Sequence, residues 1–272
     1  MNPISILQSV ILGGVQGATE FLPVSSSGHL LLAAQAFNIP ANFAAETLLN
    51  FGTMAVIVIF FWRQIWAVIR DILSKGLKMS EKRDVIAKLL IGIMPAVVVG
   101  VLLGNFIEAH LHGTGTVVIM LIAVGIPMIL VKPKKLTERG LNTNIVQEIS
   151  YKQALTIGLV QPLALVSGTS RSGVTILAGL MTGLSVEAAA AYSFLIGLPV
   201  TLGATLKFMV NESGKDFLQN NFGAFVAGNV ASFIVGLAAV YLLMGLVKRK
   251  GLKPFGQYRI ILAIAVALFI LL

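Results

Sequence analysis

The sequence predicts an all-α polytopic membrane protein with about six transmembrane helices and two re-entrant helix–loop–helix hairpins arranged as an inverted repeat. The prediction rests on composition, on the apolar runs and on a weak internal repeat. Of the 272 residues, 57% are hydrophobic and 11% are charged, and the mean hydropathy is +0.91. Because charged residues make up about 25% of a soluble domain, this composition indicates an integral membrane protein.

The start of the chain and the absence of cysteine set two further limits. The first twelve residues contain no Lys or Arg, and their apolar run leads into a polar stretch rather than a cleavage site. We therefore expect this segment to be retained instead of being removed as a signal peptide. The chain contains no cysteine, which excludes disulfides, thiolate catalysis and cysteine metal ligands.

Six apolar runs are long enough to cross a hydrocarbon core of about 30 Å, with some tilt or thinning for the shorter ones. They cover residues 44–62, 86–104, 116–132, 187–207, 223–247 and 258–272. Seventeen of the 20 Lys and Arg residues fall in the segments 62–88, 132–152 and 248–259. Loops rich in Lys and Arg lie on the cytoplasmic side of a membrane, so we place these segments inside and the basic-poor segments 105–115 and 208–222 outside. The net charge of +9 therefore indicates membrane topology and not nucleic-acid binding, since no aromatic-interleaved basic patch accompanies it.

Two polar-interrupted segments, residues 4–36 and 153–182, resemble each other at an offset of 145 residues. The matched residues of the first segment are Gln8, Gly13, Val15, Gln16, Ser25, Ser27, Gly28 and Ala33. Each segment breaks near its middle and leaves only about 11–15 apolar residues on either side, too few to cross. We therefore predict two re-entrant hairpins whose tips share a polar cavity. The charge pattern orients the copies oppositely, which predicts one membrane domain, 1–272, with inverted halves of about 1–132 and 150–272.

The two hairpin tips contain the candidate site residues. On the first tip, the stretch "QGATEFLPVSSSGH" places Gln16 and Glu20 on one helical face, followed by Ser25, Ser26, Ser27 and His29. On the second tip, "SGTSRSGVT" supplies Ser167, Thr169, Ser170, Arg171, Ser172 and Thr175. Free N–H groups at helix N-termini bind phosphate, and an arginine can hold two of its oxygens at once. The combination indicates a site for a phosphate ester or anhydride within the membrane.

Each group taken alone also has a purely structural interpretation. The serines can cap the following helix at Ser26 or Ser27, Arg171 can snorkel to the interface, and Gln16 can bond a neighbouring helix. Matched positions on both tips favour a shared site over these alternatives.

A second group of possible metal ligands follows the run that ends at residue 104. It consists of Glu108, His110 and His112, whose spacing in a polar loop favours solvated residues over a metal site. The stretch "GTSRSG" is not the nucleophile elbow of hydrolases, because it reads Gly-x-Ser-x-Ser and lacks the strand that this motif requires.

The stretches "QGATEFLPVSSSGH" and "SGTSRSG", with "YSFLIGLPVTLGA" and "KPFGQYRIILAI", resemble the bacterial undecaprenyl pyrophosphate phosphatase family, also called the bacitracin-resistance phosphatases. The resemblance covers essentially the whole chain. It implies a multi-pass enzyme of the bacterial cytoplasmic (inner) membrane, with its site toward the outer face. Such an enzyme converts undecaprenyl pyrophosphate to the monophosphate carrier of cell-wall precursors. The resemblance also implies a divalent cation, Mg²⁺ or Ca²⁺, and as partners the bilayer and the C55 isoprenoid pyrophosphate, with a homodimer left open.

The family motifs carry over residue by residue. The Glu/Gln-x-x-x-Glu pair falls on Gln16 and Glu20, the serine–histidine stretch on Ser25 through His29, and the arginine motif on Ser167 through Ser172. Position 16 is Gln where many members have Glu, which leaves Glu20 as the only carboxylate of the motif for a metal. Position 167 is Ser where the motif has Pro, so the turn before Arg171 is expected to be looser.

From these roles we hypothesise that Glu20, Ser26, His29 and Arg171 are catalytic. Glu20 with Gln16 binds the cation, and the phosphate contacts come from Arg171 together with Ser25, Ser27, Thr169, Ser170, Ser172 and Thr175. Arg171 and the cation neutralise charge in the transition state. The attacking group has three alternatives: Ser26 with His29 as its base, His29 itself, or water activated by His29.

Two other functions compete with this interpretation. Lipid phosphatases of the acid phosphatase superfamily need a histidine a few residues after their Ser-Arg pair, and no histidine follows Arg171 in this chain. A lipid-phosphate transporter or flippase shares the plan of inverted repeats with broken hairpins, and it stays as the alternative function.

Overall fold

The computed structural model describes residues 4–37, 39, 47–73, 78–131 and 145–271. Within these ranges the secondary structure is helical, which confirms the predicted all-α class. Some residues used for the sequence predictions lie outside the described ranges: 44–46 and 132 of the apolar runs, residue 272, and the basic residues Lys75, Lys132, Lys134, Lys135 and Arg139.

The helices of the first half, in chain order, are α1 (Ile6–Glu20), α2 (Ser26–Ala36), α3 (Asn50–Phe60), α4 (Trp62–Leu73), α5 (Met79–His110) and α6 (Thr114–Leu130). Those of the second half are α7 (Ile145–Glu148), α8 (Tyr151–Val160), α9 (Arg171–Met181), α10 (Val186–Val210), α11 (Glu212–Lys250) and α12 (Lys253–Leu271). A 3-10 turn, Gln161–Leu165, continues α8 toward the second break.

The predicted apolar runs fall on α3, α5, α6, α10, α11 and α12. Among the described residues, α5, α10 and α11 are each long and apolar enough to cross a membrane. Helices α3 and α4 bend by 74° at their junction and make a fourth crossing if they count as one span. Helix α6 is a shorter apolar helix of 17 residues. These helices confirm a polytopic membrane protein.

The two polar-interrupted segments form hairpins of short helices. Helices α1 and α2 contain 15 and 11 residues, or about 22 and 16 Å at 1.5 Å per residue, so neither crosses a core of about 30 Å. Helices α8 and α9 contain 10 and 11 residues. Each hairpin begins with a capping box, Ser5 with Gln8 and Ser150 with Gln153, at the offset of 145 residues.

Each hairpin packs on a long helix from the other half of the chain. Helix α1 packs along α11, and α8 packs along α5. Glycines allow the backbones to touch: a Cβ at Gly13 would lie 2.0 Å from the Gly228 carbonyl oxygen, and one at Gly158 would lie 2.3 Å from the Ile91 carbonyl oxygen. Close approach through glycine is typical of helices in membranes. Because each hairpin packs on a helix from the other half of the chain, the two tips lie next to each other.

Most of the described basic residues assigned to cytoplasmic loops lie in helices instead, and two of them are buried, which corrects that part of the sequence prediction. Lys88 lies in α5 with 6% of its surface exposed, and Arg259 lies in α12 with none exposed. The Lys88 ammonium pairs with Asp84 at 2.6 Å and donates to the Gln147 carbonyl. The prediction failed because the loop segments 62–88 and 248–259 overlapped the apolar runs 86–104 and 258–272, and the sequence did not show that partners on neighbouring elements satisfy these two charged groups.

Candidate active site

The two tips share one backbone design. Ser25 and Ser170 have φ values of 77° and 69° and are the described non-glycine residues with positive φ. Each caps the next helix, because the Ser25 hydroxyl accepts from the Gly28 N–H at 3.3 Å and that of Ser170 accepts from the Gly173 N–H at 3.2 Å. The cap of α2 is therefore Ser25, and not Ser26 or Ser27 as the capping alternative supposed. Ser26 and Arg171 become the first residues of α2 and α9.

Glu20, at the end of α1, joins the two tips. Its Oε1 lies 2.8 Å from Nη2 of Arg171, and its Oε2 accepts a hydrogen bond from the Ser26 hydroxyl at 2.7 Å. The Gln16 amide also donates to Oε2, at 3.2 Å. The Arg171 and Glu20 side chains are only 14% and 13% exposed. Four of the predicted site residues thus form one connected, largely buried group.

Helix α10 supports the other side of the Arg171 guanidinium. Nη1 donates to the Gly197 carbonyl at 2.7 Å and to the Thr201 hydroxyl. A Cβ at Gly197 would lie 2.8 Å from this nitrogen, so the glycine makes room for the side chain. These contacts and the ion pair use three of the five N–H groups of the arginine, while its side chain lines a cavity.

The tips also touch each other directly. The Gly168 N–H donates to the Ser27 hydroxyl at 3.2 Å, and the Ser172 hydroxyl donates to the Glu20 carbonyl oxygen at 3.4 Å. Gly168 has a φ of +90°, and a Cβ there would lie 2.6 Å from Cα of Val117 in α6, so both the turn and the packing require glycine. The predicted meeting of the two tips is therefore present.

The predicted phosphate contacts divide into two groups. Of these residues, Ser27, Ser170 and Arg171 line the cavity, as does Ser167 of the arginine motif. The buried residues Ser25, Thr169, Ser172 and Thr175 are not among its lining residues in the described part of the chain. Thr175 donates to the Arg171 carbonyl at 2.7 Å and bonds the Ser193 hydroxyl, while the Thr169 hydroxyl has no hydrogen-bond partner. Direct phosphate contact by this second group stays a prediction.

The cavity has a volume of about 660 Å³ and extends from the tips between α5 and α10. Its floor is polar and includes Gln16, Glu20, Ser26 and Arg171. Small and apolar residues form its walls: Ala96, Val97, Gly100, Val101 and Gly104 on α5, and Pro199, Val200, Gly203 and Ala204 on α10. Its mouth lies where α5 and α10 end, beside Glu108, His112, Lys207 and Asn211.

Of the acidic and histidine residues near position 110, Glu108 and His112 line this mouth. Glu108 and His110 lie in the last turn of α5, so the connection to α6 is shorter than the predicted loop. His112 follows that turn, with its Nδ1 3.3 Å from the Glu108 carbonyl oxygen. No group of three or more His, Asp or Glu side chains suited to a metal occurs within the described ranges.

His29 faces away from the group around Glu20. Its Nδ1 lies 2.7 Å from the Ser25 carbonyl oxygen and its Nε2 lies 2.7 Å from the Tyr258 hydroxyl. Because a carbonyl only accepts, Nδ1 carries the proton and Nε2 accepts from Tyr258. The two rings stack with a centroid distance of 5.7 Å and an interplanar angle of 7°. Ser26 bonds to Glu20 and not to His29.

Sequence reasoning missed four residues that support this site: Asn50, Thr201, Tyr258 and Arg259. Asn50 accepts from the Gln16 amide at 2.8 Å. Tyr258 and Arg259 form a polar pair at the start of a terminal apolar run. That interruption was the available signal, but a basic residue beside an apolar run also fits an ordinary loop.

Comparison with known proteins adds an independent finding. A family model described as "Bacitracin resistance protein BacA" matches residues 9–265. The chain is 34% identical over 269 residues to a protein named undecaprenyl-diphosphatase from Enterococcus faecalis, covering 97% of each chain. It is 38% identical over 269 residues to undecaprenyl-diphosphatase 1 of Bacillus cereus, covering 98% of this chain and 99% of the relative. Its identity to the protein of the same name from Bacillus anthracis is 37% over 276 residues, with the same coverage.

Proposed function

This chain belongs to the bacitracin resistance protein BacA family, and from that membership we infer that it is an undecaprenyl-diphosphatase. The enzyme hydrolyses undecaprenyl pyrophosphate to undecaprenyl phosphate and inorganic phosphate. The names of the relatives favour this phosphatase over the transporter alternative. The structural observation that supports it is the contact of Glu20 with both Ser26 and Arg171 at the floor of a cavity between long apolar helices.

The cavity suits both ends of such a substrate. Its apolar walls on α5 and α10 offer a path for an isoprenoid chain, while the N-terminus of α9 and Arg171 form an anion-binding site at its floor. A guanidinium presents N–H groups in a fixed plane that matches two phosphate oxygens. We place the terminal phosphate against Arg171, with the tail directed along the walls.

For the chemical step we propose that the Ser26 hydroxyl attacks the terminal phosphorus. The support is its hydrogen bond of 2.7 Å to Glu20 Oε2, which gives the hydroxyl proton an acceptor. Undecaprenyl phosphate leaves, and water then releases inorganic phosphate from the phosphoserine. Arg171 stabilises the charge that develops on the transferred phosphoryl group. His29 lies outside this group of contacts, so we assign it the positioning of the Ser25 carbonyl.

We further propose that Gln16 and Glu20 hold a divalent cation, Mg²⁺ or Ca²⁺. The Gln16 Oε1 atom is buried and has no hydrogen-bond partner, while its amide nitrogen is fixed toward Glu20 and Asn50. An amide oxygen without a hydrogen-bond partner and a carboxylate, on two side chains in contact, are oxygen ligands of the kind that hard cations prefer. When bound, the cation would supply positive charge to neutralise phosphate oxygens.

We also propose that the site opens to the outer face of the bacterial cytoplasmic membrane. The cavity mouth lies beside Glu108, His112, Lys207 and Asn211, within or next to the segments 105–115 and 208–222 that contain few basic residues. The described residues of the basic clusters lie elsewhere, in α4, near the start of α5 and around the junction of α11 and α12, and the positive-inside rule places such clusters in the cytoplasm.

The test is phosphate release by purified protein in detergent, where there are no two sides to transport between. We expect release from C55 pyrophosphate with Mg²⁺ or Ca²⁺, and its loss on addition of a chelator. Glu20→Gln removes the anionic partner of Ser26 and Arg171, so we expect turnover to fall by at least two orders of magnitude. Glu212→Gln, at an exposed carboxylate that begins α11, is the matched control. Absence of release by wild-type protein with either cation would refute the proposed activity.

A further inference from the structure

Arg259 is the largest side chain with essentially no exposed surface in the described part of the chain. It lies in α12, and among the described residues no carboxylate forms an ion pair with it. Its guanidinium instead donates to four backbone carbonyl groups. A charged group buried at such a place in a membrane protein is costly, which indicates a specific use.

Two of these carbonyls belong to the two hairpin tips. Nη1 donates to the Pro23 oxygen at 3.3 Å, and Nη2 donates to the Gly168 oxygen at 2.8 Å. Pro23 and Gly168 are 145 residues apart, which is the offset that relates the two hairpins. One side chain therefore grips equivalent backbone atoms in both copies of the repeat.

The other two carbonyls anchor the guanidinium to a helix outside the hairpins. Nη2 donates to the Met120 oxygen at 2.9 Å, and Nε donates to the Leu121 oxygen at 3.3 Å. Both acceptors lie within α6. The tips are thus fixed to each other and to α6 and α12 through one residue.

The carbonyl groups of Pro23 and Gly168, which accept hydrogen bonds from Arg259, lie two residues before the serines with positive φ. Ser25 has φ 77° and ψ 97°, and Ser170 has φ 69° and ψ 110°. Side-chain-bearing residues hold such conformations only where the surroundings over-determine them. The capping hydrogen bond ties each serine to the helix that follows it, and Arg259 holds the chain two residues before it.

We propose that Arg259 is a positioning residue for the hydrolysis, and this proposal rests on the proposed function. Arg259 is not among the cavity-lining residues and acts through the backbone of the tips. It holds Ser26 on one tip and Arg171 on the other at the separation at which both reach Glu20. Lysine cannot replace it, because a single ammonium nitrogen does not span two carbonyls that bind different guanidinium nitrogens.

The first test compares the Arg259→Lys and Arg259→Gln variants with wild-type protein in the phosphate-release assay. Tyr192→Phe is the matched control, because Tyr192 is fully buried and donates one hydrogen bond to a backbone carbonyl, that of Lys88, away from the tips. We expect kcat to fall at least tenfold in both Arg259 variants while KM changes less than threefold, since the apolar cavity walls that receive the C55 tail are unchanged. In Tyr192→Phe both constants should stay within threefold of wild type.

The second test measures the tips directly. The chain has no cysteine, so paired Ala36→Cys and Met181→Cys substitutions give two unique spin-label sites. These exposed positions end α2 and α9 and are themselves 145 residues apart. We expect one narrow distance distribution in the wild-type and Tyr192→Phe backgrounds, and a broader or shifted one with Arg259→Lys.

Three results would overturn the proposal: kcat within threefold of wild type in both Arg259 variants, a change confined to KM, or an unchanged label distance in a variant that has lost activity. Failure of both variants to yield folded protein would also overturn it, because Arg259 would then support the whole fold. Wild-type hydrolysis in the same preparation tests the proposed function separately, and the label distances test the tips even without turnover.

Discussion

Glu20 contacts three of the other candidate site residues. One carboxylate accepts from Ser26 and Gln16 and pairs with Arg171, so it links the first hairpin to the second. A phosphate group arriving at Arg171 competes with Glu20 for the same guanidinium. Substrate binding is therefore expected to weaken the ion pair and free the carboxylate to accept the Ser26 proton.

The identity of the attacking group can be decided by two substitutions. Ser26→Ala removes the proposed nucleophile, so we expect kcat to fall by about two to four orders of magnitude. His29→Ala leaves the contact between Ser26 and Glu20 in place and removes the bond to the Ser25 carbonyl. We therefore expect a smaller loss, measured by phosphate release at saturating substrate.

Acid quenching of the reaction gives a second criterion, because phosphoserine survives acid and phosphohistidine does not. Serine attack predicts an acid-stable phosphoenzyme that is absent from Ser26→Ala. An acid-labile phosphoenzyme, together with a His29→Ala loss as large as that of Ser26→Ala, would assign the attack to His29.

Arg171→Lys is expected to be strongly impaired although it keeps the charge. The guanidinium bonds Glu20, Gly197 and Thr201 at once, which one ammonium nitrogen cannot reproduce while also binding two phosphate oxygens. We expect kcat to fall at least tenfold at normal expression, with Lys215→Arg on α11 as the control. Wild-type turnover by the lysine variant would show that Arg171 does not clamp phosphate.

At the scale of the elements, close contacts at glycine residues pack each hairpin against a long helix from the other half of the chain. Gly13→Ala would place a methyl group 2.0 Å from the Gly228 carbonyl oxygen, a backbone atom, so the packing of α1 on α11 would have to shift. Overpacking of this kind costs about 1–3 kcal/mol or more, so we expect a lower thermal midpoint or loss of monodisperse protein in detergent.

Gly14→Ala is the matched control for that substitution. It lies one residue further along α1, and a Cβ there would meet nothing within 4 Å. Alanine favours the helix by about 0.5–1 kcal/mol over glycine, so the midpoint should stay the same or rise. Equal midpoints for the two variants would contradict the close packing of α1 on α11.

The sequence was sufficient to predict the hairpins but not their partners. Polar breaks with short apolar flanks are local features, and they identified the tips around Pro23 and Gly168 and the residues that meet there. The packing of Gly13 on Gly228 depends on sites 215 residues apart along the chain, and nothing local separates these glycines from the others. The contacts of Arg259 could not be predicted either, because its acceptors are backbone carbonyl groups, which do not depend on the type of side chain at those positions.

For the whole molecule, both hairpins contribute side chains to one asymmetric site. Ser26 and Arg171 are 145 residues apart and each begins the second helix of its hairpin, so their different side chains would give one tip the proposed nucleophile and the other the proposed phosphate ligand. Glu20 has Leu165 as its counterpart at the same offset. The two tips therefore share a backbone conformation, and the differences between their side chains distinguish their chemistry.

The orientation of the whole molecule is the last expectation to test, and the cysteine-free chain makes single labels possible. Asn105 lines the cavity near its mouth, and Lys250 ends α11 in a basic cluster. Because basic clusters stay in the cytoplasm, a membrane-impermeant maleimide should label the Asn105→Cys variant in intact spheroplasts. It should label the Lys250→Cys variant only after the membrane is opened. Both variants must first retain phosphate release, so that labelling reports the active fold. The reverse pattern would place the cavity mouth in the cytoplasm, and the site would then act on lipid pyrophosphate from the inner leaflet.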